Sequence, residues 1–292
     1  MGKRKKETKK KKKITFGTII MNIILLCAIG VFIYAAGSLV MIFLEYKQGT
    51  DEYKGLRQFV VEETAALTGE ESEIEGVGEL ASGNAPHESG ETEEQKISKI
   101  PNLSVDFDGL QAINSDVLGW IRVLAISEID YPLVKGADNE QYLHKTFEGK
   151  ANDAGSIFVD TQASDDFSDR NTVIYGHNMK NLSMFGNLKR FHDKTVYDEN
   201  PYIVIYTKER DYLYEIFSCH VGVLGDEGIQ IFFGTEEDYG NYLSYIFRRS
   251  EYDMGVEVGV EDKIISLQTC ADNDVAVFYV YAKLVETREK TN

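Results

Sequence analysis

Hydrophobic and polar positions divide the chain into three stretches. From Ile14 to Leu44 the residues are apolar or small, with no charge (ITFGTIIMNIILLCAIGVFIYAAGSLVMIFL). A membrane-crossing helix needs roughly 20 such residues, so the run predicts a transmembrane anchor over 14–44. A cleaved signal has a shorter apolar core followed by small residues. Ala35-Ala36-Gly37 offers small residues, but Ser38 to Leu44 continues apolar, which favours an uncleaved anchor. Residues 45–58 read as a short polar helix or stem. The run from 61 to 95, rich in Glu, Gly and Ser, lacks the apolar content to offset chain entropy. Residues 45–95 are therefore expected to form an acidic, flexible stalk, with His87 solvated.

From residue 96 to 292 the pattern changes to short alternating runs. Phe107, Leu110, Ile113 and Leu118 follow a helical spacing. Strands are predicted at 118–123, 128–132, 156–160, 172–175, 202–207, 210–223, 263–268 and 277–285, where β-branched and aromatic residues alternate with polar ones. One late helix interrupts them, TEEDYGNYLSYIFRRS. Thr235 is placed as its N-cap, and Tyr239, Leu243 and Ile246 as its core face. Many short strands with few long helices predict a mainly β domain, a closed barrel or sandwich with inserted helices.

Charge sharpens the picture. Residues 1–13 (MGKRKKETKKKKK) hold nine Lys/Arg and one Glu, +8, whereas the whole chain carries −17, leaving −25 on the remainder. A lysine block beside an apolar span predicts a cytoplasmic tail and an external C-terminal domain. No aromatic or folded surroundings accompany the block, so no nucleic-acid partner is expected. No CxxC or HExxH spacing occurs, and His192, Cys219 and His220 match no zinc pattern, so no metal is expected. Cys27 lies in the anchor. A Cys219–Cys270 disulfide is conceivable outside the cell, yet a domain of this size buries a core without one.

Two places carry candidate chemistry. The strand TVIY ends at Gly176-His177, and the strand ISLQTC ends on Cys270. Each residue alone has an inert structural reading. Together, a thiol and an imidazole at strand ends form a nucleophile–base pair. Asn178, Met179, Met184, Phe185 and Thr269 are candidate groove residues around it. His144 and His192 read as surface residues. Cys219 and His220 alternate on one strand, so one is expected inside and the other outside, and Trp120 is expected to anchor the first strand to the preceding helix.

Several blocks resemble a class B sortase: GWIRV at 119–123, IDYPLVKGADNEQYLHKTFEG at 129–149, GSIFVD at 155–160, SDRNTVIYGHNM ending at Met179, and DKIISLQTC at 262–270. The resemblance covers about residues 100–285 and extends to the anchor and to the helix inserted before the cysteine strand. It implies an eight-stranded sortase-type β-barrel and a cysteine transpeptidase of Gram-positive surfaces needing no cofactor. Cys270 would attack the Thr carbonyl of a sorting-signal pentapeptide, with His177 as acid. An amine from a peptidoglycan precursor or from a pilin lysine would resolve the thioester. No calcium site can be assigned.

One feature departs from that family. Sortases carry an arginine at the start of the strand after the cysteine, in an ending similar to R-F-x-V-x-A-K-L. Here Ala282-Lys283-Leu284 sets the register, and Val277 occupies the arginine position. No Arg or Lys lies between Cys270 and Lys283. An acidic domain disfavours thiolate and oxyanion, and a lost oxyanion donor costs about 10²–10³ in rate. Three explanations stand: an engineered inactive variant, a natural slow or non-catalytic protein, or another cation. Arg170, Arg248 and Arg249 are the candidate cations. A sortase-fold module that only binds sorting peptides or partners, and an unrelated thiol peptidase, are the alternative functions.

Overall fold

The apolar run forms a helix that continues well past its last apolar residue. Helix α1 spans Phe16–Leu56. The structure is a computed structural model and describes residues 16–62, 98–270 and 276–290, with backbone alone at Thr18 and Cys270. The basic tail and the stalk from 63 to 95 lie outside the described residues. The chain divides into two units, ending and starting at Gln48 and Gly49. In the first, large apolar side chains such as Leu26, Phe32, Tyr34 and Val40 are exposed all round the helix, and the helix is long and apolar enough to cross a membrane.

The second unit begins earlier than the sequence suggested. Tyr53 and Leu56 are buried, and strand β1 (Val60–Glu62) pairs antiparallel with β2 (Leu103–Val105). Residues 49–62 thus belong to the folded domain rather than to a stalk. Tyr53 and Leu56, three apart on one helix face, supply the buried stripe. Asp51, Glu52 and Lys54 between and beside them mask it in the sequence.

Helix α2 (Phe107–Ile113) starts at Asp106, whose carboxylate accepts the Gly109 N–H at 2.9 Å. It buries Phe107 and Leu110 and stops at Asn114, which is extended. Leu118, expected on this helix, lies instead in β3 (Val117–Val123).

The remaining strands are β4 (Ile126–Val134), β5 (Ile157–Val159), β6 (Asn171–Tyr175), β7 (Tyr202–Tyr206), β8 (Arg210–Val223), β9 (Ile264–Cys270) and β10 (Ala276–Glu289). Helix α3 (Lys194–Glu199) precedes β7, and α4 (Glu236–Arg249) lies between β8 and β9. Among the described residues, eight strands close a barrel in the order β10-β8-β7-β3-β4-β5-β6-β9. The β4–β5 and β6–β9 contacts are parallel and the rest antiparallel. Closure leaves the barrel strands no open edge. Trp120, Ile121, Leu133, Ile205, Leu213, Ile265, Leu267 and Val280 are fully buried. Trp120 also donates to Asp130 at 2.6 Å, tying β3 to β4.

Helix α4 carries the capping box read from the sequence: Thr235 and Asp238 each satisfy the other's backbone N–H. Its Tyr239, Tyr242, Leu243 and Ile246 pack with Phe217, Val277, Tyr279 and Tyr281. His220 is buried against this layer, beside Tyr279 and Tyr281, while Cys219 is buried on the other face of β8 against Phe191, so neither of them is left outside.

Candidate active site

Strands β6 and β9 lie side by side and point the same way. Their ladder runs from Asn171↔Ile264 to Tyr175↔Gln268, a constant offset of 93 residues. His177 and Cys270 are separated by that same offset, each two residues beyond the last pair. The Gly176 N–H continues the ladder by donating to Gln268 O at 3.2 Å. The two chain positions therefore reach one end of the barrel at the same level. Adjacent strands are about 4.8 Å apart.

His177 is half-buried and held on three sides. Its Nε2 lies 2.7 Å from Leu143 O. A carbonyl only accepts, so Nε2 bears the proton, and in the neutral ring Nδ1 carries the lone pair. The His177 carbonyl accepts the Phe185 N–H at 3.0 Å, and the ring stacks on His144 at 5.7 Å. Gly176 is required before it: a Cβ there would sit 2.7 Å from the Phe185 ring.

Beside His177 lies a groove of about 410 Å³. Leu143, Phe158 and Leu224 give it apolar walls, while Asn139, Glu140, Gln268 and Thr269 supply polar groups. Asn139 is fixed by donating to buried Asp160 at 2.8 Å, which also accepts from the Tyr175 hydroxyl at 2.9 Å. Burial and the Asp160 charge push the Tyr175 phenol upward, so it keeps its proton and donates. Neither Arg nor Lys is among the described residues that line this groove.

The candidate groove residues divide. Thr269 lines the groove. Met179, Met184 and Phe185 are buried beneath the histidine loop, Met184 and Phe185 completely. They pack the loop from behind and present no groove surface, because the turn after Gly176 folds back onto itself through an Asn178↔Met184 bridge. Asn178 is half-buried in that turn and does not line the groove. Asn139, Glu140, Leu143 and Gln268 were not singled out from the sequence, although the first three fall in the DNEQYLH block.

Val277 is the ladder partner of Cys270 and, on its other side, of Gly222. It is fully buried in the cluster under α4. Asp226 sits over the same row, since a Cβ on Gly222 would lie 2.5 Å from its Oδ2. Partial burial works against that carboxylate's charge, but the Val223 and Gly228 N–H groups and the Tyr279 hydroxyl hold it below the usual range.

None of the candidate cations lines the groove beside His177. Arg170 precedes β6 at the end opposite His177, where its carbonyl accepts from Ile264, the first residue of β9. Seven residues at about 3.3 Å each separate it from His177 by roughly 20 Å. Its guanidinium meets Glu236 at 3.9 Å and stacks on Tyr239 at 5.3 Å. It cannot serve the site. Arg249 pairs with Asp226 at 3.8 Å and stacks on Tyr245 at 5.6 Å. Arg248 lines a separate polar pocket beside Glu227. The Cys219 thiol is buried, and burial pushes it up to about 12, which makes it unreactive.

Comparison with known proteins agrees with this geometry. A family model for the sortase domain matches residues 121–285. Sortase B of Listeria monocytogenes is 37% identical over 161 residues, 55% of this chain but 65% of the Listeria protein, just under two thirds. Sortase B of Staphylococcus aureus is 32% identical over 166 residues, 57% of this chain and 68% of that protein. The solved S. aureus sortase B–substrate complex matches with a TM-score of 0.59 at 30% identity, over 62% of this chain and 84% of that one.

Proposed function

This chain belongs to the sortase family, on the class B side of it, and from that premise we propose that it is a membrane-anchored cysteine transpeptidase. The observation that carries the reading is the shared 93-residue offset, which brings His177 and Cys270 to one level beside the groove. In this mechanism the Cys270 thiolate attacks the Thr carbonyl of an extended sorting-signal peptide. A C–S bond forms, and the carbonyl becomes an oxyanion. Collapse breaks the C–N bond after Thr, and the His177 imidazolium gives its proton to the leaving amine. An incoming primary amine then attacks the thioester, loses a proton to the imidazole, and expels the thiolate. The acceptor belongs to a peptidoglycan precursor or a pilin lysine. In this reading the positive-inside rule puts the lysine block in the cytoplasm and the barrel outside.

A second reading is favoured by Val277. With valine where a guanidinium is expected, the fold and the peptide groove persist while turnover is weak. One incubation tests both: a fluorogenic sorting-signal pentapeptide with Thr fourth, plus triglycine as a small unhindered amine. A transpeptidase yields the amide-linked product, a peptidase only hydrolysis, and a binding module neither. A Cys270→Ala chain that still makes the amide product overturns the mechanism.

A further inference from the structure

We propose that Tyr53, at the end of α1, is a positioning residue for His177, acting on the imidazole from behind through two separate routes. The proposal rests on the reading of His177 as the acid–base group.

The first route runs through the phenol. Tyr53 Oη donates to Gly155 O at 2.6 Å, accepts from the Phe147 N–H at 3.3 Å, and lies 3.2 Å from Ser156 Oγ. Ser156 in turn donates its N–H to Tyr142 O at 3.0 Å and its hydroxyl to Lys145 O at 2.8 Å. Gly155 is pressed against the same strand of chain: a Cβ there would lie 2.4 Å from Leu143 O. Leu143 O is the atom that His177 Nε2–H reaches. The phenol therefore ties the middle of the 142–156 loop, at Phe147, to its end at Gly155 and Ser156, which in turn bonds Tyr142, and so sets where that carbonyl stands.

The second route runs through the ring. Tyr53 packs edge-on against Tyr131, with centroids 5.3 Å apart. The Tyr131 hydroxyl accepts the Met184 N–H at 3.1 Å. The next residue, Phe185, donates its N–H to the His177 carbonyl. One side chain thus supports both the backbone of the histidine loop and the acceptor for its ring. A residue serving only domain stability needs neither connection. The neighbouring buried Leu56 has no hydrogen-bonding group with which to make the first.

Tyr53→Phe removes the donor to the Gly155 C=O and the acceptor for the Phe147 N–H while keeping the ring contact to Tyr131. The test uses the full-length chain in detergent, labelled with ¹⁵N-histidine. Ring nitrogen resonances of His177, assigned by their loss in a His177→Gln chain, report which nitrogen holds the proton. The expected wild-type signature is Nε2–H. Tyr53→Phe is expected to shift the ring toward a mixture of tautomers and to lower kcat for the fluorogenic peptide about tenfold. Leu56→Ala, which loses burial on the same helix end, is expected to lower Tm while keeping the wild-type ring signature. Retention of that signature in Tyr53→Phe, or its equal loss in Leu56→Ala, overturns the proposal. The ring signature is read without any peptide, so a failure of the transpeptidase reading shows as absent turnover in the wild type and is separately visible.

Discussion

Val277 and Cys270 are direct partners in the β9–β10 ladder, so the position opposite the candidate nucleophile is occupied by a buried aliphatic side chain. Valine suits its surroundings, since the row faces the apolar layer under α4. A guanidinium there would meet that layer on one side and the Asp226 carboxylate, above Gly222, on the other. Val277→Arg is expected to raise the rate of peptide cleavage tenfold or more, within the 10²–10³ typical of an oxyanion donor. It is also expected to cost about 1–3 kcal/mol of stability, as a charge is placed in an apolar layer. Steady-state cleavage and thermal unfolding of the same sample check both halves. An unaltered rate would show that the missing cation does not limit turnover.

Arg170 offers the opposite expectation. Its guanidinium is spent on Glu236 and the Tyr239 ring, at the far end of β6. Arg170→Ala should leave kcat within a factor of two, whereas His177→Ala should lower it by about 10²–10⁴, the usual contribution of a general acid–base group. Side-by-side kinetics of the two variants decide it.

His220 should impose a pH dependence on folding. It is buried between Tyr279 and Tyr281, and neither ring nitrogen has a hydrogen-bond partner. Burial, helped by the Arg249 charge, lowers it to about 4 from the ordinary 6.5. The unfolded chain therefore binds the proton first as pH falls. The stability this neutral ring contributes is fully present above pH 6.5 and drains away as pH drops toward 4. The shift corresponds to about 3 kcal/mol. His220→Phe, which keeps the stacking, should flatten the fall in Tm between pH 6.5 and 4.5. A slope as steep as the wild type's would assign that loss to other groups.

The early start of the folded unit gives a fourth expectation. A chain beginning at Lys96 lacks Tyr53, Leu56 and the β1 strand that pairs with β2. It should unfold at a lower denaturant midpoint than one beginning at Gly49, with a loss of several kcal/mol, since each buried large side chain contributes about 1.5–3 kcal/mol. Equal midpoints would mean that the helix end adds no stability.

Local signals were readable in the sequence where one physical rule dominates. Strand β8 was bounded at Arg210 and Val223 by alternation, and α4 started at Thr235 because its cap and acidic first turn are written in adjacent residues. The strands carrying His177 and Cys270 were likewise plain. Three-dimensional assignments were less so. Met184 and Phe185 are apolar residues close to a candidate histidine, and nothing in their spacing separates groove lining from packing beneath a loop. Arg170 is near His177 in sequence, but the five residues of β6 between them cross the barrel wall. Tyr53 and Leu56 sit among charges, so a buried helix face read as a solvated stem. Asn139 and Leu143 come from a long irregular loop, where no periodicity marks which side chains turn inward.

The parallel match of β6 to β9 also frees the chain between them. Residues 176–263 make an excursion whose length does not enter the pairing, so segments around the exposed Phe232 can be lengthened or shortened at little cost to the partnership of His177 with Cys270. The tolerance ends at the ladder itself. Deleting one residue within Ile264–Gln268 would turn every following side chain to the opposite face of the wall, and the thiol with them.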